Sequence, residues 1–373
     1  MKLFEFQAKN IFRDAGIHVP ESALVKTTSE VKKALSVIGY PAVLKSQVLT
    51  GGRGKAGLIK IVQDESAAMD AADTLFSSPH RVNTILVEEA VDIEREIYLA
   101  ITVDPVEACA LILSSAEGGV EIEELAESAP EKIFRENVNL EKGLQPFQTR
   151  NLVHALGLEG TAAKETAAVL SALWKVFRDR DAELVEINPL FLSRSGEVLA
   201  GDGKLILDDN AEWRQDRADA GREYFDSDAA FEAAKEGIPY LQFDGDISLM
   251  CAGAGLTTTV YDLVIDEGGT VANYLEFGGP NYRKADKAME LCLKNDSKVI
   301  LMVTFGTIAR ADVMAEGIVS AINKLKPDRP IVTCIRGTNE ADAVKILEKA
   351  GLIPLFDTEE AVRTAVALAR GDS

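Results

Sequence analysis

From about residue 247 onward, short apolar runs rich in β-branched residues alternate with amphipathic stretches. The runs are Ile247–Ala252, Val271–Phe277, Val299–Phe305, Ile331–Ile335 and Ile353–Phe356. Helical spacing follows each of them, near Thr257–Asp266, Arg283–Lys294, Asp312–Leu325, Glu340–Ala350 and Thr358–Ala369. Five strands, each followed by a helix, predict a parallel sheet with helices on both faces, because parallel neighbours need a crossover and a strand covered on both sides carries apolar residues throughout. Ligands of such sheets bind beyond the strand C-termini. Here those loops are Gly253-Ala254-Gly255, Gly278-Gly279-Pro280-Asn281, Gly306-Thr307 and Gly337-Thr338-Asn339.

The N-terminal part is patterned less regularly. Ala42–Ser46 and Leu58–Val62 read as strands flanking a glycine-rich turn, followed by strands at Thr84–Val87, Ile97–Val103 and Ala110–Ser114. Thr161–Arg178 has the spacing of a long amphipathic helix, and Leu184–Ile187 and Val198–Ala200 read as short strands. This is an α+β order. A polar, charged stretch from about 208 to 240 separates the halves, so two domains are expected, 1–237 and 238–373.

Charge and composition narrow the partners. With 40 basic and 60 acidic residues the formal charge is −20, which disfavours nucleic acid. No apolar run approaches the ~20 residues that span a bilayer, and Met1–Gln7 carries charges where a signal peptide needs an apolar core, so no membrane association and a cytoplasmic location are expected. Cys109, Cys251, Cys292 and Cys334 show no metal spacing and read as reduced core thiols. His18, His80 and His154 form no ligand-like cluster.

Three segments suggest chemistry. Lys45 is followed by Gly51-Gly52-Arg53-Gly54-Lys55-Ala56-Gly57. Glycines there let backbone N–H groups approach a polyphosphate, and the basic residues add charge; no Gly-Lys-Ser/Thr opens a helix, so this is not a Walker A loop. A flexible basic hairpin is the alternative. Next, Glu88 ends an apolar run and Glu96 follows it, placing carboxylates where an adenine amino group or ribose hydroxyls would donate; a solvated acidic edge is the alternative. Last, Glu186, Asn188 and Asp202 sit at adjoining strand ends and supply hard oxygen donors suited to Mg²⁺, with ordinary turn residues as the alternative.

Taken in order, these segments resemble the ATP-grasp pattern of ADP-forming succinate–CoA ligase β subunits. The resemblance runs through Leu3-Phe4-Glu5-Phe6-Gln7-Ala8-Lys9 (the family usually reads L-H-E-Y-Q-A-K), Gly51–Gly57, Glu117–Glu123, Glu186–Leu190, Gly253-Ala254-Gly255-Leu256 and Gly337-Thr338-Asn339-Glu340. It implies an α/β protein, with an N-terminal ATP-grasp domain followed by a flavodoxin-like CoA-ligase domain. It also implies an activity in which ATP, a small acid and CoA give acyl-CoA, ADP and phosphate. The family's phosphoryl group passes through a histidine on an α subunit that also binds CoA, so a heterodimer or an α2β2 assembly is implied. Carried over by position, Lys45, Gly52, Arg53, Gly54, Glu88, Val91 and Glu96 would hold the nucleotide and Asn188 and Asp202 the Mg²⁺. Glu186 would orient the visiting phosphohistidine, and Pro20 goes with ADP/ATP rather than GDP/GTP.

The acid-binding positions implied by the resemblance are Ala252, Gly253, Gly279, Thr307, Ile308 and Ala309, and here the pattern breaks. The family reads N-G-A-G-L where this chain has Ala252-Gly253-Ala254-Gly255-Leu256, G-G-G-A where it has Gly278-Gly279-Pro280-Asn281, and F-G-G-I where it has Phe305-Gly306-Thr307-Ile308. Loss of the Asn amide removes hydrogen bonds, Pro removes an N–H donor, and Thr adds a hydroxyl and volume beside a helix N-terminus; each change is worth roughly 1–3 kcal/mol to the original substrate. The acid is therefore expected to differ from succinate, with malate-like acids or a sulfonated acid such as sulfoacetate as candidates and drift with succinate retained as the alternative. Two other readings are a catalytically silent scaffold subunit, disfavoured by the intact Lys45, Glu186, Asn188 and Asp202, and a single-chain carboxylate–amine ligase, disfavoured by the C-terminal domain.

Overall fold

The computed structural model of this chain describes residues 1–215, 221–306 and 309–371. It divides into two compact units, Met1–Ala218 and Asp219–Ser373.

The first unit is built on two antiparallel sheets. A four-stranded sheet has the order Ser22–Val25, Ile85–Glu89, Ala42–Ser46, Ile59–Val62. Helices Thr28–Ile38 and Glu65–Phe76 cover it through Val31, Leu35, Ala68 and Ala72. Both start where a side chain accepts an otherwise unpaired helix N–H, at Thr27 and Asp64. The second sheet runs in the order Lys204–Leu207, Ala182–Ser193, Ile93–Asp104, Cys109–Ser115, Phe134–Val138, with Val198–Ala200 paired to Ala182–Ser193. Its apolar face (Ile97, Leu99, Ile101, Val185, Ile187, Leu205) packs against the long helix Gly160–Asp179 and the first helix, Glu5–Asp14. Strand alternation then turns Tyr98, Glu186 and Lys204 to the opposite face.

The second unit has the expected parallel sheet. Its order is Tyr240–Gln242, Val271–Leu275, Ile247–Cys251, Val299–Gly306, Ile331–Gly337, Pro354–Leu355. All pairs are parallel except that of the edge strand Tyr240–Gln242, which runs antiparallel to Val271–Leu275 within a stretch whose polar pattern predicts no strand. Helices cover both faces, in one core centred on Met250, Met302 and Met314 and another on Leu249, Leu301 and Val362. The boundary placed after residue 237 falls earlier in this division. Helix Asp228–Lys235 seats Ala229 and Ala233 in the C-terminal core together with Ile238, so a segment whose polar composition resembled a linker packs with the second unit. The four cysteines are buried free thiols. Among the described residues no helix is long and apolar enough to cross a membrane.

Because strand Ile247–Cys251 lies between Val271–Leu275 and Val299–Gly306, the chain leaves it in opposite directions along the sheet, the switch point beyond whose C-termini ligands of such sheets bind. Glycines let the neighbouring loops pack backbone to backbone. A Cβ on Gly278 would lie 2.9 Å from the Gly253 nitrogen, and one on Gly337, whose φ is +110°, would lie 2.0 Å from the Gly306 oxygen. Gly337→Ala is accordingly expected to destabilise the protein by about 2 kcal/mol or more, seen as a lower urea midpoint; an unchanged midpoint would mean that these strand ends separate freely.

Candidate functional site

In the first unit, a cleft of about 400 Å³ lies between the glycine-rich loop that joins Ala42–Ser46 to Ile59–Val62 and the polar face of the second sheet. Its lining includes Gly52, Arg53, Gly54, Glu186, Asn188 and Asp202, so six of the sequence-predicted residues come together. Gly52 takes φ +66°, a conformation that side chains resist, which turns the loop back on itself through the Ala56 N–H to the Gly52 carbonyl at 3.0 Å.

At the base of the cleft is a cluster of six charges, five of them buried and the sixth, Asp202, partly exposed. Arg53 donates to Glu5 Oε2 and to Asp202 Oδ2, each at 2.6 Å. Lys45 Nζ donates to Glu88 Oε1 at 2.6 Å, to the Gly201 carbonyl at 2.6 Å and to Glu5 Oε1 at 3.2 Å. Lys9 Nζ reaches Glu88 Oε2, the Gly201 carbonyl at 2.8 Å and Glu5 Oε1 at 3.0 Å. Glu5, Glu88 and Asp202 thus balance Lys9, Lys45 and Arg53. Burial opposes the charge of Glu5, but Lys45, Lys9 and Arg53 outweigh it and hold its carboxyl well below the usual range. Burial also opposes the charge of Lys45, yet Glu5, Glu88 and Asp202 push its pKa up. For Lys9 burial prevails, with Lys45 adding to it, and its pKa is lowered. Lys45 and Glu88 sit in this layer rather than on the cleft wall.

Along the polar sheet face, Lys204 stands directly opposite Glu186 on the neighbouring strand, and Tyr98 Oη is 3.4 Å from Glu186 Oε2. Burial raises the Glu186 pKa, Lys204 partly offsets it, and Asp202 and Glu123 raise it further. Lys2 lines the same cleft, its pKa lowered by burial and by its neighbours Lys204 and Arg53. Asn188 is clamped to the loop after Cys109–Ser115: the Gly119 N–H donates to Asn188 Oδ1 at 2.8 Å, and Asn188 Nδ2 donates to the Val120 carbonyl at 2.9 Å. Glu96 stands behind that loop, not on the cleft. A Cβ on Gly119 would lie 2.5 Å from Glu96 Oε2, and burial raises the Glu96 pKa. Val91, in the turn between Glu88 and Glu96, does not line the cleft either.

Glu5, Lys9, Lys2, Lys204 and Tyr98 were not singled out for site roles from sequence. Glu5 and Lys9 had a signal: with Ala8 and Phe12 they form the buried stripe of helix Glu5–Asp14, and two charges on such a stripe must meet partners.

Among the described residues, no group of three or more His, Cys, Asp or Glu is placed to hold a metal alone. The oxygens of Asn188 and Asp202 nevertheless fit Mg²⁺. Asp202 accepts from Arg53 through Oδ2 and from the Gly203 N–H through Oδ1 at 2.6 Å, and Asn188 Oδ1 accepts once. Each oxygen has a lone pair left, and an ion held by two protein ligands takes its remaining donors from phosphates and water.

The positions expected from the resemblance to bind the acid lie in the second unit. Ala252 and Gly253 follow strand Ile247–Cys251, Gly279 follows Val271–Leu275, and Ala309 precedes helix Ala311–Leu325, all at the C-terminal end of the sheet. Thr307 and Ile308 lie outside the described residues.

Known proteins match both units. The ATP-grasp domain family matches residues 2–192 and the CoA-ligase family residues 250–368. The chain is 59% identical to the ADP-forming sulfoacetate-CoA ligase subunit SauC of Bilophila wadsworthia, over all of both chains. It is 56% identical to the subunit SqwK of the same description from an Acholeplasma species, over all of this chain and 92% of that one. It is 41% identical to the ADP-forming succinate–CoA ligase subunit beta of Ignicoccus hospitalis, over 99% of this chain and 100% of that one. The ATP citrate lyase of Methanothrix soehngenii, solved with citrate and coenzyme A, shares the fold with a TM-score of 0.73 over 99% of each chain at 21% identity. With an ATP-grasp domain followed by a CoA-ligase domain and full-length likeness to these subunits, the chain belongs to the family of ADP-forming acid–CoA ligase β subunits.

Proposed function

We propose that this chain is the nucleotide-binding subunit of a cytoplasmic, Mg²⁺-dependent sulfoacetate–CoA ligase that works with an α subunit carrying CoA and a phosphorylatable histidine. The observation that carries the reading is the 59% full-length identity to a sulfoacetate–CoA ligase subunit, against 41% to a succinate–CoA ligase subunit. The departures at 252, 280 and 307 fall in the acid loops, while the nucleotide motifs stay intact, as a change of acid with unchanged phosphoryl chemistry requires.

In this reading the N–H groups of Gly52–Gly54 and the side chains of Arg53 and Lys45 hold the polyphosphate. Asn188 and Asp202 hold Mg²⁺, while Glu88, Val91 and Glu96, given to the nucleoside end by the resemblance alone, lie off the cleft, with Glu88 engaged by Lys9 and Lys45 beneath it. The ion, when bound, neutralises developing charge on the transferred phosphoryl group. Arg53 is pre-positioned by Glu5 and Asp202, so it meets the phosphates with little reorganisation. Glu186, between Lys204 and Tyr98, accepts a hydrogen bond from the partner's imidazole and orients it in line. The γ-phosphoryl group passes to that histidine, leaving ADP. A carboxylate oxygen of the acid then takes it, and the CoA thiol displaces phosphate to give the thioester.

The test is an acid panel supplied to the purified two-subunit complex with Mg²⁺–ATP and CoA, following ADP release. A complex that turns over succinate best would overturn the assignment of the acid. For the metal site, Asp202→Asn is expected to raise the Mg²⁺ requirement about tenfold or more with the fold retained, since it removes one ligand charge; unchanged activity at limiting Mg²⁺ would remove Asp202 from the site.

A further inference from the structure

Lys9 is buried beneath the cleft at 2% exposure and has no part in the roles above. It bonds the same acceptors as Lys45. Glu5 Oε1 lies 3.0 Å from Lys9 Nζ and 3.2 Å from Lys45 Nζ, and the Gly201 carbonyl lies 2.8 and 2.6 Å from them. Glu88 gives one oxygen to each. Two ammonium groups on one acceptor set is a redundancy, and a buried cluster this costly to desolvate calls for a physical reason.

We propose that Lys9 is a positioning residue of the nucleotide site, a resident cation that keeps Glu5, Glu88 and the Gly201 carbonyl partnered so that Lys45 can leave them for a nucleotide phosphate. The inference rests on the reading that Lys45 holds the nucleotide. Lys45 is 7% exposed and is fully engaged in the cluster, so contact with a phosphate requires it to give up at least one of these bonds. Arg53 serves Glu5 and Asp202 and makes no bond to Glu88. Without Lys9, release of Lys45 would strand the buried Glu88 carboxylate with no cation, which buried charges resist strongly. With Lys9 in place, Glu88 keeps a short ion pair throughout. The same helix also steadies the metal loop. Lys9 holds the Gly201 carbonyl, and Phe12 packs so close to Gly203 that a Cβ there would lie 2.6 Å from the ring, so Asp202 is flanked on both sides by contacts from helix Glu5–Asp14.

The experiment is steady-state kinetics of the assembled two-subunit enzyme. Lys9→Met is expected to raise KM for ATP about tenfold or more, with KM for CoA and for the acid unchanged, because Lys45 becomes locked to the unbalanced carboxylates. In a Glu88→Gln background, where that lock is gone, the same substitution is expected to change KM for ATP by less than about threefold. Should Lys9→Met fail to fold, Lys9→Gln, which keeps a donor for the Gly201 carbonyl without the charge, carries the same comparison. A purely structural lysine would lower the melting temperature and leave KM for ATP where it was, or act equally in both backgrounds, and either result overturns the proposal. Lys45→Met separates the two readings. If it raises KM for ATP while the Lys9 variants do not, only the Lys9 inference falls; if it too leaves KM unchanged, the assignment of Lys45 falls and the inference with it.

Discussion

Purified by itself, this chain is expected to bind Mg²⁺–ADP yet form no acyl-CoA, and addition of the α subunit is expected to raise turnover from background by on the order of a thousandfold or more. The reason is chemical. The proposed route needs a histidine to carry the phosphoryl group, and this chain has three: His18, His80 and His154. All three are exposed, and none lines the cleft that holds Arg53, Asn188 and Asp202. The described lining of the cleft offers carboxylates and cations for positioning but no imidazole to take and release a phosphoryl group. The measurement is transfer from γ-labelled ATP. Label on a histidine of the partner supports the two-subunit route. Label nowhere, with the partner present, would return the chain to a silent scaffold. Acyl-CoA made by the pure single chain would end the two-subunit reading.

Sulfoacetate is expected to be used at least about a hundredfold better than succinate, as kcat/KM, by the assembled enzyme. The two acids differ in the end away from the reacting carboxylate: succinate presents a planar carboxylate one methylene further out, sulfoacetate a tetrahedral sulfonate with three acceptor oxygens. A site that binds one through buried donors leaves them unpaired with the other, and such mismatches discriminate more strongly than a change of size. The resemblance to the succinate–CoA ligase pattern puts an Asn at position 252 and a glycine at 307, where this chain has Ala252, just after strand Ile247–Cys251, and Thr307. The double variant Ala252→Asn/Thr307→Gly is expected to raise succinate use relative to sulfoacetate, with KM for ATP little changed. A wild-type enzyme that already prefers succinate would reduce these substitutions to drift. A double variant that loses ATP affinity as well would mean that the acid loops and the nucleotide site are coupled.

The parallel sheet of the second unit could be read from the chain because most of its strands are short, predominantly apolar runs and each is followed by a helix repeating at 3.6, so period and length agree. The edge strand Tyr240–Gln242 could not: three residues in a polar stretch carry no period, and only pairing with Val271–Leu275 makes them a strand. Strand Ala182–Ser193 was longer than the apolar core Leu184–Ile187 suggested, since Glu186, Asn188 and Pro189 interrupt the pattern while backbone pairing with Ile93–Asp104 continues past them. The interruption turns polar groups to the cleft from a strand whose neighbouring residues Val185, Ile187 and Leu190 are core.

Sequence alone determined the order of the two folds, the glycine-rich loop between two strands, and the polar residues Glu186, Asn188 and Asp202 that meet in one cleft; the phosphate, metal and acid roles given to these and the C-terminal loops belong to the proposed function. The features read from sequence are local properties, set by periodicity, by residue chemistry and by motifs a few residues long. Only the tertiary structure decided that Lys45 and Glu88 lie under the cleft rather than on its wall, that Glu96 stands behind the loop holding Asn188, and that Glu5 and Lys9 complete a charge-balanced cluster with residues up to 192 positions away. A buried ion finds its partners across the whole fold, because the cost of leaving it unpaired depends on everything packed around it, and no spacing along the chain records that.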